Sequence, residues 1–174
     1  MLNPEIEVLL GRAATARFQL WSLVAVLEDG HFDQRAEGDT WSVREHLAHV
    51  AAVDRVTVEI VEALAGPRLD LSPFLALREP RRLDALADSG GVQAAAPRAR
   101  EVVEERLRSL SPELLSIEVV LPGRDAWSAP VSMQLRSYLA EWASHDTHHE
   151  AAIREAVRTS ISPAALALAA RSRR

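Results

Sequence analysis

Ser42-Val43-Arg44-Glu45-His46-Leu47-Ala48-His49-Val50 opens the stretch whose reading decides the fold. Ser42 followed three residues later by Glu45 is a capping box. The serine hydroxyl and the glutamate carboxylate each satisfy a backbone N–H that the first turn of a helix leaves unpaired. Beyond it, apolar side chains recur at Val43, Leu47, Val50, Val53, Val56, Ile60 and Leu64, the spacing of one helical face, until Gly66-Pro67 stops the pattern. This is a helix of roughly six turns at 3.6 residues per turn.

The same signals recur on both sides of it. Upstream, Asn3-Pro4-Glu5 combines a cap, a proline at the first helical position and an acidic first turn. Apolar residues then follow with helical period from Ile6 to Leu27, and Gly30 is the expected end. Residues 30–41 are polar and loop-like. Downstream, Pro67, Pro73, Pro80 and Gly90-Gly91 make residues 66–90 irregular, with room for a short helix around Arg81–Asp88. A third long helix is expected over about Val92–Leu110. Pro97 moves its start toward Ala96, and Ser111-Pro112 ends it. Residues 113–131 form a connection in which Ile117-Glu118-Val119-Val120-Leu121 reads as a short extended segment. The fourth long helix begins at Val131 or Ser132 and runs to about Arg158, and Ser162-Pro163 caps a short helix over 163–171. Four long amphipathic helices with long crossings predict an all-α, four-helix bundle, a single domain over 1–174.

Composition narrows the function. At 174 residues the chain can bury a real core, and its 48% hydrophobic and 26% charged residues are those of a globular protein. Lysine is absent, and arginine and alanine are abundant, a mark of G+C-rich coding. The formal charge of −5 gives no overall attraction to nucleic acid or to anionic membranes. The terminal Arg171, Arg173 and Arg174 read as a solvated tail. No cysteine is present, which excludes disulfides, thiolate metal sites and a cysteine nucleophile. No signal peptide and no run of membrane-spanning length is recognisable, so a cytoplasmic protein is expected.

The chemistry lies in six histidines, His31, His46, His49, His145, His148 and His149, three of them within five residues. His145 and His149 stand at i, i+4 on the fourth helix, so both imidazoles reach one ion from one face. His49, in the apolar stripe of the second helix, offers a third ligand from a facing helix. A lone histidine on an apolar face is more often a hydrogen-bonded core residue than a ligand. Spacing also does not choose between His148 and His149, because His148 stands at i+3 from His145. Imidazole suits zinc, nickel, copper or iron. Three protein ligands leave a position open for water or substrate. His31 is expected to do no more than favour a helix end, and His46 to support the site or the fold.

At this point the residues resemble a known family. Thr40-Trp41-Ser42-Val43-Arg44-Glu45-His46-Leu47-Ala48-His49-Val50 resembles the second-helix signature of the DinB/YfiT-like superfamily. There a Trp-Ser pair opens the helix and the histidine seven residues after the serine, here His49, is a metal ligand. Glu141-Trp142-Ala143-Ser144-His145-Asp146-Thr147-His148-His149 resembles the family's second motif, whose first and last histidines, here His145 and His149, are the other two ligands. The resemblance covers nearly the whole chain. It implies an up-down-down-up bundle, frequent homodimers, and one divalent ion at the three histidines, nickel or zinc first and iron, manganese or copper after them. It also implies metal-dependent enzymes, among them thiol-dependent S-transferases and a maleylpyruvate isomerase that use low-molecular-weight thiols. The "damage-inducible" label of the family describes expression and implies no DNA binding. The proline-containing segment Gly66 to Pro80 departs from the pattern and bears on the mouth of the pocket.

The resulting expectation is an enzyme with an open three-histidine site, a small-molecule substrate and a thiol partner, without nucleic acid or membrane. Asp146, His148 and Glu45 are the candidates for supporting or proton-transfer roles. Glu45 is more simply the capping residue, and Trp41 and Trp142 are more simply core residues. The alternative is a non-catalytic bundle with a structural metal that binds a small ligand or a protein; His148 or a carboxylate as a fourth ligand would mark it. A di-iron bundle requires two Glu-x-x-His motifs, and the one match, Glu28-Asp29-Gly30-His31, is broken by glycine. The zincin motif and the phosphate-binding glycine fingerprints are absent.

Overall fold

The computed structural model describes residues 3–75, 89–123 and 128–162, with the side chains of 75 and 89–97 excepted. Four long helices dominate: α1 (Pro4–Val24), α2 (Val43–Glu62), α4 (Ser89–Arg108) and α5 (Leu135–Val157). A short α3 (Ser72–Leu75) and strands β1 (Arg68–Asp70), β2 (Glu118–Leu121) and β3 (Val131–Gln134) lie between them. The capping signals act as the residue types require. Asn3 accepts the Glu5 N–H at 3.0 Å. The Ser42 backbone N–H donates to Glu45 at 2.7 Å while the Ser42 hydroxyl accepts the Glu45 N–H, so the capping box is complete.

The strands fix the helix directions. β1 follows α2, β2 follows α4, and β1 pairs with β2 in parallel, so α2 and α4 both run toward the sheet. β3 pairs antiparallel with β2 and leads directly into α5, which therefore runs away from it. Arg136 at the start of α5 meets Glu5 at the start of α1, and Arg108 at the end of α4 meets Glu7. The bundle is thus up-down-down-up, with α1 packed on α5 and α2 on α4.

Its core is two apolar lobes with a polar layer between them. Near the sheet, Leu9, Ile60, Leu107, Leu135 and Leu139 belong to one cluster. At the far end, Leu20, Leu23, Val43, Leu47 and Ile153 belong to the other. Each helix carries a charged residue into the layer: Arg17 from α1, Asp54 from α2, Arg100 from α4 and Asp146 from α5. Arg17 donates to Asp146 at 2.5 Å and to Asp54 at 2.7 Å, and Arg100 lies 3.2 Å from each carboxylate. Trp142 donates its indole N–H to Asp54 at 3.2 Å and lies under the Arg100 guanidinium, 4.4 Å from ring to cation. Burial works against the charge of Asp146, but the approach of His145 and the two guanidinium groups outweigh it and hold the carboxyl at about 2. Asp54, 1% exposed, is pushed the other way by burial, with the charge of Asp146 adding to it against Arg17 and Arg100.

Several boundaries differ from those read off the sequence. α1 ends at Val24, not Gly30. The apolar period continues because Val26 and Leu27, in tightened i→i−3 turns, still pack on the far lobe. α4 starts at Ser89 rather than near Ala96 and contains Pro97, since a proline removes a single rung of the helical ladder. Val131–Gln134 is strand β3 and not the first turn of α5, and Arg68–Asp70, within a stretch read as irregular, is strand β1. Strands of three or four residues exist through partners distant in sequence, which no local period reveals. The extended reading of Ile117–Leu121 holds in β2. The short helices expected at Arg81–Asp88 and 163–171 lie outside the described residues. Among the described residues no helix is long and apolar enough to cross a membrane.

Removing one member of a buried, hydrogen-bonded ion cluster leaves uncompensated charge. Asp54→Ala is therefore expected to lower unfolding free energy by about 3–5 kcal/mol, read from urea denaturation. A loss below about 1 kcal/mol would show that the layer is not what holds the four helices in register. Ser42→Ala should cost only about 1 kcal/mol in the same assay, the worth of a helix cap.

Candidate metal centre

Two helices running in opposite directions bring the three histidines together at the far side of the polar layer. His49 sits two turns into α2, where the capping box fixes the helix start. His145 and His149 stack one turn apart on α5. The Nε2 atoms converge: His145 Nε2 is 3.2 Å from His49 Nε2 and 3.1 Å from His149 Nε2. His49 and His145 are half-buried and His149 is buried.

The donor set fits a divalent ion. Imidazole nitrogens about 2.0–2.1 Å from a tetrahedral zinc stand about 3.3 Å apart, close to the separations here. Neutral imidazoles that turn lone pairs toward one another at such distances repel unless a proton or a cation lies between them. His149 is neutral near physiological pH: burial first, then the neighbouring His145, His49 and His46, push it down to about 2. A neutral ring with an available lone pair is the form that ligates.

Around the three rings lies an outer set. Trp41 packs against the histidines rather than in either apolar lobe: its ring is 4.7 Å from His49, 5.4 Å from His46, and stacked on His149 at 6.1 Å. Trp142 is buried in the ionic layer. His46 Nδ1 lies 2.9 Å from His149 Nδ1, and His46 Nε2 lies 3.0 Å from Asp39 Oδ2. Burial lowers His46, and Asp39 partly opposes it. Asp39 is itself held below the usual carboxylate range, first by the Trp41 backbone N–H. Asp146 Oδ1 is 3.9 Å from His145 Nδ1, too long for a hydrogen bond but close enough to orient the ring by charge.

The remaining sequence candidates fall as follows. Glu45 caps α2 and pairs with Arg35 at 3.0 Å, so it has no part in the centre. His148 is exposed, on the side of α5 where a cavity of about 270 Å³ opens next to His145. Val53, Leu121, Met133 and Trp142 form the apolar wall of that cavity, and β2 and β3 thus reach the neighbourhood of the site. His31 lies elsewhere. Its Nδ1 accepts the Glu28 N–H at 2.8 Å at the start of a 3-10 turn, a capping role where a dipole role was expected.

Sequence reasoning missed Asp39, Arg17, Asp54 and Arg100. A signal existed for Arg17 and Asp54, which interrupt otherwise apolar helix faces. Asp39 carried none, since a polar residue in a polar loop is unremarked.

Comparison with known proteins agrees with this fold. No curated protein sequence matches the chain. A solved structure, YfiT from Bacillus subtilis, described as a probable metal-dependent hydrolase with an unusual four-helix bundle topology, superposes with a TM-score of 0.71 at 20% identity, over 91% of this chain and 89% of that one. At that identity the likeness speaks for the fold. The DinB superfamily matches residues 12–153, so the chain belongs to the DinB superfamily.

Proposed function

We propose that this chain is a metal-dependent DinB enzyme that holds one divalent ion at His49, His145 and His149 and acts on a small molecule bound in the adjoining cavity. The observation that carries the proposal is the convergence of three Nε2 atoms at metal-spanning distances beside an open, partly apolar cavity. A divalent ion in a three-imidazole site with an open position supplies Lewis acidity and makes a nucleophile available near neutral pH. YfiT, of the same fold, is described as a probable metal-dependent hydrolase, which favours water as that nucleophile. A low-molecular-weight thiol is the other reading, and the chain, having no cysteine, would take it as a co-substrate. Nickel and zinc are the proposed ions, because three neutral imidazoles suit both.

The chain's own residues divide the work. His49, His145 and His149 present ring nitrogens. Trp41 shields their upper face from water. Val53, Leu121, Met133 and Trp142 hold the apolar part of a substrate. His148, exposed at the cavity beside His145, is placed to pass a proton to or from the reacting group. A site closed by His148 as a fourth ligand is disfavoured, because His148 is outside the three-nitrogen group.

Elemental analysis of untagged protein after incubation with zinc or nickel tests this. About one equivalent is expected in the wild type and in His148→Ala, and much less in His49→Ala and His149→Ala with helical circular dichroism retained. An ion-free wild type would remove the metalloenzyme reading. Loss of the ion in His148→Ala would instead indicate a closed four-ligand site.

A further inference from the structure

We infer that Asp39 and His46 are positioning residues which, acting in series, set the tautomer of His149 so that its bare Nε2 faces the centre. The part concerning the ion rests on the metal-binding reading above; the part concerning the tautomer does not.

The direction of the series follows from what each atom can do. The Asp39 carboxylate only accepts, and both oxygens are engaged: Oδ1 accepts the Trp41 backbone N–H at 2.9 Å, and Oδ2 faces His46 Nε2 at 3.0 Å. His46 must then carry its proton on Nε2. A neutral imidazole has one N–H and one bare nitrogen, so His46 Nδ1 is an acceptor. It lies 2.9 Å from His149 Nδ1, which must therefore donate. That leaves His149 Nε2 without a proton, 3.1 Å from His145 Nε2. The reverse assignment, with His46 donating from Nδ1 to His149 Nδ1, would leave the bare His46 Nε2 against the Asp39 carboxylate, two acceptors at a distance only a hydrogen bond allows.

The loop is built to deliver Asp39 there. Arg35 pairs with Ser42 in an isolated antiparallel bridge, and Val43 N–H donates to Gln34 at 3.0 Å, tying both ends of the loop to the start of α2. Gly38 has φ 79°, a conformation that a side chain would strain, and it turns the chain so that Asp39 lies over the first turn of the helix. A loop residue four positions before α2 thereby controls a nitrogen on α5.

Asp39→Asn is the informative variant. The Trp41 N–H can only donate, so the amide oxygen stays with it and the amide NH2 turns to His46 Nε2. His46 must then accept there and carry its proton on Nδ1, and His149 must accept on Nδ1 and carry its proton on Nε2, where the ion belongs. Long-range 1H–15N correlation spectra of the metal-free protein should show His149 as the Nδ1–H tautomer in the wild type and as the Nε2–H tautomer in Asp39→Asn. Zinc affinity, measured by competition with a chelating indicator, should fall about 10–100-fold in Asp39→Asn with the thermal midpoint nearly unchanged. His46→Phe, which removes the relay but keeps the volume, should leave His149 without a fixed tautomer. Asp33→Asn makes the same charge change in the same loop, where Asp33 pairs with Arg44, and should alter neither readout. A wild-type His149 found as Nε2–H, or an Asp39→Asn protein with wild-type tautomer and affinity, would overturn the inference. A wild type that binds no zinc but shows the two tautomers as stated would refute the metal reading and leave the relay standing.

Discussion

Two arginines and two aspartates, one from each long helix, meet in the middle of the bundle with Asp54 and Asp146 almost completely excluded from water. Charges in such a place are tolerated only when each finds its opposite in good geometry. This requirement reaches further than any single apolar contact. Leucines slide past one another at modest cost, whereas a guanidinium displaced by one helical turn would face a void or a like charge. The layer therefore sets the axial register of all four helices. The apolar lobes above and below it, with the sheet closing one end, supply most of the burial.

The site inherits its geometry from that layer. Asp146 is a member of the layer and the neighbour in sequence of His145, so fixing the one orients the helix that carries the other. Asp54 stands just over one turn beyond His49 on α2, with Trp142 bridging from α5 to the same carboxylate. Both helices that contribute imidazoles are thus clamped within a turn or two of His49, His145 and His149. The clamping is on the protein side; toward the cavity an apolar wall of Val53, Leu121, Met133 and Trp142 faces Glu141, His145 and His148. A clamped set of imidazoles beside a small, partly apolar space is the arrangement on which the proposed metal-dependent activity rests.

The two halves of the site were unequally legible. His145 and His149 declare themselves by spacing, and Ser42 with Glu45 marks the start of the helix that carries His49, because capping and helical period are local and act over a few residues. The end of α1 was overestimated for a reason that is also physical: Val26 and Leu27 keep the apolar rhythm by packing as a loop on the core, and periodicity reports burial before it reports helix. β1 and β3 were invisible, since each is held by β2 from a distant part of the chain. Asp39 and Arg17 were missed because a single charge in sequence carries no sign of the partner that gives it a role.

What the sequence by itself determined is therefore everything that depends on short-range chemistry: four amphipathic helices, their caps, the lack of any cysteine of its own, and an i, i+4 imidazole pair on one helical face. Which nitrogens meet, and what stands behind them, was decided only by the tertiary structure. The antiparallel approach of α2 to α5 brings His49 to within 3.2 Å of His145, and the loop before α2 carries Asp39 to His46 and so to His149. The contacts between α2 and α5 join residues about a hundred positions apart. Their free energy comes from excluding water around matched donors, acceptors and charges, a condition that exists only once the core has closed.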